Sequence, residues 1–175
     1  MNPCLTILLR LAQLIFSAII LSLSVVLMLG QRAGDSPVIT KFSIFLGSFG
    51  LFMAFFGVFS QIFAVMRQSR VVGALDFVVA LVQFAGGVAT AVALGPGINS
   101  CSNKRWRETN AIVNGGYVVV NGQNFVYKNT PFESRCQMAF AVTSFEFLVG
   151  MSFVLSGVAM ILSAQRRKNP EPAKW

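Results

Sequence analysis

Arg10, Asp76 and Glu146 each interrupt a long apolar run of the chain. An unpaired charge at bilayer depth costs a few kcal/mol on insertion scales, so each of the three needs a partner or a task. Arg10, Asp76 and Gln61 lie five residues inside the same end of their runs, about 7–8 Å deep at a helical rise of 1.5 Å per residue. An Arg10–Asp76 ion pair, with Gln61 as a further hydrogen-bond partner, would satisfy all three in one layer. The other outlet for Arg10 is to snorkel to the headgroups. Glu146 has no basic residue at its depth and stands level with Ser24 and Thr90. Buried there, it serves as a neutral acid in a structural hydrogen bond, ahead of a role on a proton path. Histidine is absent, which removes Ser-His-Asp and Cys-His catalysis and imidazole metal sites. A phosphate loop of the GxxxxGK[ST] type is missing as well. The expectation is a protein that is not an enzyme and uses no metal and no cofactor.

Four apolar runs must position these residues: 5–29, 42–66, 71–95 and 139–164. They contain three of the 20 charged residues, and each exceeds the roughly 20 residues that cross a bilayer. The whole chain of 175 residues is 55% hydrophobic and 11% charged, with mean hydropathy +0.69. A soluble domain carries about a quarter charged residues. The expected fold class is all-α, an integral membrane antiparallel four-helix bundle over 1–164, with an outer loop at 96–138. A basic, proline-broken and disordered tail follows at 165–175. The first run is too long for a signal peptide and has no basic residue before it, so it reads as a retained span. Net charge is +8, but the basic residues flank the spans, which points to anionic lipid and topology rather than to nucleic acid.

In lipid, helices associate through small residues and hydrogen bonds. The second run places Gly47, Gly50, Ala54, Gly57, Gln61 and Ala64 at alternating steps of three and four. Gly73, Asp76, Ala80, Gln83, Gly87 and Thr90 repeat that pattern in the third. Thr143, Glu146, Gly150, Phe153, Gly157 and Met160 do so in the fourth, and Arg10, Gln13, Ser17, Ile20, Ser24 and Leu27 in the first. Such alternation averages 3.5 residues and keeps one seam facing a partner, as in a left-handed bundle. The first and fourth seams carry larger residues. Leu8, Leu9, Ile15, Phe52, Phe55, Phe56, Val78, Val79 and Phe147 are left to face acyl chains or fill gaps.

Four spans put both termini and the 67–70 link on one side. Arg67, Arg70, Arg166, Arg167, Lys168 and Lys174 concentrate there in short segments, which assigns that side to the cytosol. Cys101 and Cys136 bracket the opposite loop, and a disulfide between them requires an oxidising compartment. Cys4, alone at the other face, is a free thiol or a palmitoylation site. Within the loop, Ser100–Asn110 reads as polar and basic, with Trp106 an interfacial anchor rather than a ligand-binding face. Tyr117–Val120, Asn121-Gly122 and Gln123–Tyr127 read as a β-hairpin on a type I′ turn.

The chain resembles the fungal MARVEL-domain membrane proteins of the non-classical export group, which are associated with eisosomes. The resemblance covers nearly the whole chain. It is carried by Leu9-Arg10-Leu11-Ala12-Gln13-Leu14-Ile15-Phe16, Phe45-Leu46-Gly47-Ser48-Phe49-Gly50, Ala74-Leu75-Asp76, Ser100-Cys101-Ser102, Asn114-Gly115-Gly116 and Ser134-Arg135-Cys136-Gln137, in that order. It implies a non-enzymatic plasma-membrane organiser, a scaffold of furrow-like microdomains that responds to sphingolipid and sterol and retains transporters. Cys101 and Cys136 carry over as the loop disulfide, and Arg10 and Asp76 as helix-embedded polar positions.

Two other readings compete with an organiser that binds anionic inner-leaflet lipid through Arg166, Arg167 and Lys168. One is an accessory subunit of a larger membrane transporter or pump. The other is a small exporter or channel with Glu146 and Gln83 along its path. Homo-oligomerisation is compatible with the first two.

Overall fold

A computed structural model describes residues 3–31, 34–62, 70–95, 101–120, 123–126 and 132–168. The chain builds helices α1 (Pro3–Leu29), α2 (Val38–Ile62) and α3 (Arg70–Leu94), a short α4 (Lys104–Thr109), strands β1 (Tyr117–Val120) and β2 (Gln123–Val126), and a long α5 (Phe132–Lys168). Within α1, α2, α3 and α5, four stretches are long and apolar enough to cross a membrane: Thr6–Leu29, Val38–Ser60, Val71–Leu94 and Glu133–Gln165. A helix meets every backbone hydrogen bond internally, which lipid demands of a spanning segment.

Several boundaries differ from those read off hydropathy. α2 starts at Val38 rather than 42, its first turn fastened by the Thr40 and Lys41 amides donating to the Pro37 carbonyl (3.0 and 3.3 Å). α5 starts at Phe132 rather than 139, with Glu133 in its first turn where the helix dipole favours an acid. It also continues through Arg166, Arg167 and Lys168, so the expected disordered tail begins as helix. Those residues are good helix formers. The Ser100–Asn110 stretch, expected as a loop, contains α4, capped by the Asn103 side chain, which accepts from the Trp106 amide.

Around the bundle the order is α2, α1, α5, α3, with α2 and α3 meeting less closely than the other neighbours. The stripes face inward. On α1, Arg10, Gln13, Ser17, Ile20, Ser24 and Leu27 are all buried, and so are the six stripe positions of α3 and of α5. Large residues on the α1 and α5 seams therefore pack as well as glycine does elsewhere. Gly47, Gly50, Ala54 and Gly57 are buried on α2; the side chains of Gln61 and Ala64 lie outside the described residues. Outward stand Leu8, Ile15, Phe52, Phe55, Phe56 and Val78. Val79 does not join them. It is 1% exposed, because the next position on a helix turns about 100° from Val78. Phe147 fills a gap, its ring near Phe84 and over Gly87.

The glycines mark where backbones approach. A Cβ on Gly47 would sit 2.7 Å from the Leu21 amide nitrogen, joining α2 to α1. Gly157 lies against the Gly73 carbonyl, joining α5 to α3, and Gly87 and Gly150 each receive a phenylalanine ring. At the far end Cys101 and Cys136 form a disulfide with Cα atoms 5.8 Å apart. β1 and β2 pair antiparallel, Tyr117 opposite Val126 and Val120 opposite Gln123. The Asn121-Gly122 turn and Tyr127 lie outside the described residues.

Candidate functional site

The inner seams assemble three polar layers. In the first, Arg10 Nη1 donates to Asp76 Oδ1 at 2.9 Å and Nη2 to Oδ2 at 2.7 Å. Both side chains are nearly inaccessible, at 1% and 3%. Two parallel charge-assisted bonds make the strongest geometry available to this pair. Arg10 therefore pairs across the bundle rather than snorkelling. The third partner is Gln13: its Oε1 accepts from Arg10 Nη1 at 2.9 Å, and its Nε2 donates to the Ser152 carbonyl at 3.1 Å. Gln61, expected in that role, has a side chain outside the described residues. Gly57 completes the layer from α2. A Cβ there would lie 2.5 Å from Arg10 Cζ, so the guanidinium rests against bare backbone. α1, α3 and α5 are thus joined by hydrogen bonds and α2 by contact.

The middle layer is smaller. Gln83 is fully buried and donates from Nε2 to the Leu46 carbonyl at 3.0 Å. Gly50 leaves room for it, since a Cβ there would sit 2.9 Å from Gln83 Nε2 and 2.5 Å from Ser17 Oγ. Gln83 thereby ties α3 to α2 where those helices run apart.

The third layer surrounds Glu146, which is fully buried. Thr90 Oγ1 lies 2.6 Å from Glu146 Oε2 and also 3.0 and 3.1 Å from the Gly86 and Gly87 carbonyls. Ser43 lies beside the same carboxyl without a well-formed hydrogen bond, its Oγ lacking a protein partner. A small cavity adjoins this layer, lined by Ser24, Thr40, Ser43 and Thr90 among apolar neighbours.

Above the cavity sits the loop, and Arg135 holds it there. Arg135 is 3% exposed. Its Nε donates to the Val113 carbonyl (3.2 Å), Nη2 to the Ile112 carbonyl (3.1 Å) and Nη1 to the Leu27 carbonyl (3.0 Å). One guanidinium thus fastens the loop to the last turn of α1, where carbonyls lack intrahelical donors. Gly30 makes this possible, as a Cβ there would lie 2.5 Å from Arg135 Nη1. Asn110 does the same for α3, donating from Nδ2 to the Ala93 carbonyl at 3.0 Å, beside Gly95 in the left-handed conformation (φ +71°) that closes the helix. Trp106 packs partly buried against this cluster.

Sequence reasoning missed Arg135, Ser43 and the bridging use of Gln13. Gln13 carried a signal, because it stood on the α1 stripe one turn from Arg10. Arg135 also carried one, as a basic residue beside a disulfide cysteine at the start of a span. The side chains of Cys4, Arg166, Arg167 and Lys168 lie outside the described residues. Among the described residues, no three His, Cys, Asp or Glu side chains come together as a metal site.

Residues 3–158 match the family described as MARVEL, membrane-associating domain. The chain belongs to the MARVEL family. It is accordingly a membrane-associated, multi-pass protein with four apolar spans, and its bundle fits that domain. No curated protein matches it, and no solved structure does.

Proposed function

We propose that this MARVEL protein is a non-enzymatic organiser of plasma-membrane microdomains, eisosome-like and sensitive to sphingolipid and sterol. The observation that carries the reading is the division of its side chains. Arg10, Asp76 and Glu146, deep in the spans, are turned inward and hydrogen-bonded, while a belt of large apolar residues is left for neighbours in the membrane. Exposed phenylalanines at 45, 52, 55, 56 and 59 on α2 belong to that belt, and such a surface suits association with lipid chains or with further copies. MARVEL membership supports a membrane-organising role. The termini and the 67–70 link face the cytosol in this reading, which the clustered Arg67, Arg70, Arg166, Arg167, Lys168 and Lys174 support. The disulfide-closed loop then faces outward, in keeping with the compartment that sustains disulfides.

The basic end of α5 supplies the lipid contact, at about 1 kcal/mol per basic residue near an anionic surface. In giant vesicles containing PIP₂, the labelled protein should cluster, and replacing Arg166, Arg167 and Lys168 by glutamine should reduce the clustering. Unchanged clustering would overturn the lipid assignment. Purification in mild detergent separates the organiser from an accessory subunit: a fixed stoichiometric partner would replace the proposed role. Selective flux through proteoliposomes would instead establish the exporter.

A further inference from the structure

The cavity beside Glu146 has unmet hydrogen-bonding demand. Ser24 Oγ and Ser43 Oγ both line it, both residues are at most 2% exposed, and neither oxygen has a protein partner. Glu146 Oε1, on the carboxyl beside Ser43, also has none. Leaving such atoms unsatisfied forfeits the full desolvation cost of each. The cavity holds about 10 Å³ of space for the centre of a water-sized sphere, roughly what one water requires.

The proton count around Thr90 is informative. Its single hydroxyl proton has three acceptors in range, the Gly86 and Gly87 carbonyls and Glu146 Oε2 at 2.6 Å. Carbonyls cannot donate. If Thr90 donates back to its own helix, as serine and threonine often do, the short contact is bridged by a proton on Glu146. An ionised carboxylate with one oxygen unpartnered in this apolar wall would be far costlier. Oε1 is then the carbonyl oxygen of a neutral acid, an acceptor waiting for a donor.

We infer that the cavity binds one ordered water, which donates to Glu146 Oε1 and to one of the two serine hydroxyls and accepts from the other. Three bonds are what a buried water typically makes. Each satisfies an atom that the protein leaves open, and together they join α1, α2 and α5. Ile112 forms part of the cavity wall, and Arg135 grips its carbonyl.

Infrared spectroscopy of the full chain in nanodiscs tests it. A neutral buried acid gives a carbonyl band that Glu146→Gln should delete, and the band should respond to exchange into D₂O. Ala139→Val and Val142→Ile each add bulk to the cavity wall while leaving every polar group in place. Both should shift the band to higher wavenumber as the water's hydrogen bond is lost. Absence of an acid band sensitive to Glu146→Gln would mean an ionised carboxylate, and would overturn the inference. A band that keeps its position in whichever filled variant folds would overturn it too.

Discussion

Removing Asp76 strands a guanidinium. In the native bundle Arg10 is 1% exposed, with two of its bonds on Asp76 and one on Gln13. Breaking a buried ion pair from one side costs about 3–5 kcal/mol. Gln13 remains as an acceptor for Arg10, which puts Asp76→Ala toward the lower end. Arg10→Ala strands the carboxylate and also removes Gln13's donor, so about 4 kcal/mol is expected. The double variant buries no unpaired charge and should cost no more than either single variant, giving a coupling of about 4 kcal/mol or more. SDS-induced unfolding in mixed micelles measures this, with Trp106 emission as the probe and Trp175→Phe as background. Gly57→Ala extends the cycle: its new Cβ would occupy the place of the Arg10 guanidinium, so it should be severe alone and mild beside Arg10→Ala. Additive losses for Arg10→Ala and Asp76→Ala would refute the argument, because they would show that neither charge depends on the other.

Gly47→Ala should destabilise more than Gly87→Ala in the same titration, by about 1–3 kcal/mol, as expected when overpacking moves a backbone. The first collides with Leu21 main-chain atoms, the second with a Phe147 ring that can tilt. Arg135→Ala removes three charge-assisted bonds to carbonyls, each worth about 1.5–3 kcal/mol. It should open the 101–120 region to limited proteolysis while leaving the helical circular dichroism intact. Replacing Cys101 and Cys136 with alanine should lower stability by about 3–4 kcal/mol in the chain-entropy treatment, from a sequence separation of 35. An unchanged unfolding midpoint would count against the loop's part in the fold.

Much of this is legible in the sequence. The seams were readable because spacing of three and four turns the same side of a helix to its partner, whatever that partner is. Arg10 and Asp76 shared a layer by their depth, and Glu146 by depth stood level with Thr90, 2.6 Å from it in the structure. Depth singled out Gln61 as the third partner, whereas Gln13 stood on the α1 stripe one turn from Arg10; only the packing of α1 against α5 put the Ser152 carbonyl within reach of the same Gln13 side chain. The early start of α5 was hidden because residues 132–138 carry charge and polarity that hydropathy reads as loop. They extend the helix above the apolar run, where Arg135 and Cys136 meet loop partners.

The order of residues alone therefore determined that the chain has four apolar spans and packs along stripes of small and polar residues, because those outcomes depend on transfer energy and helical period. The tertiary structure decided which polar atoms meet. Arg135 on three carbonyls, Val79 inside beside Val78 outside, and the opening next to Glu146 all follow from how neighbouring helices are rotated and how far apart they stand. Those quantities belong to pairs of helices, and no single segment encodes them.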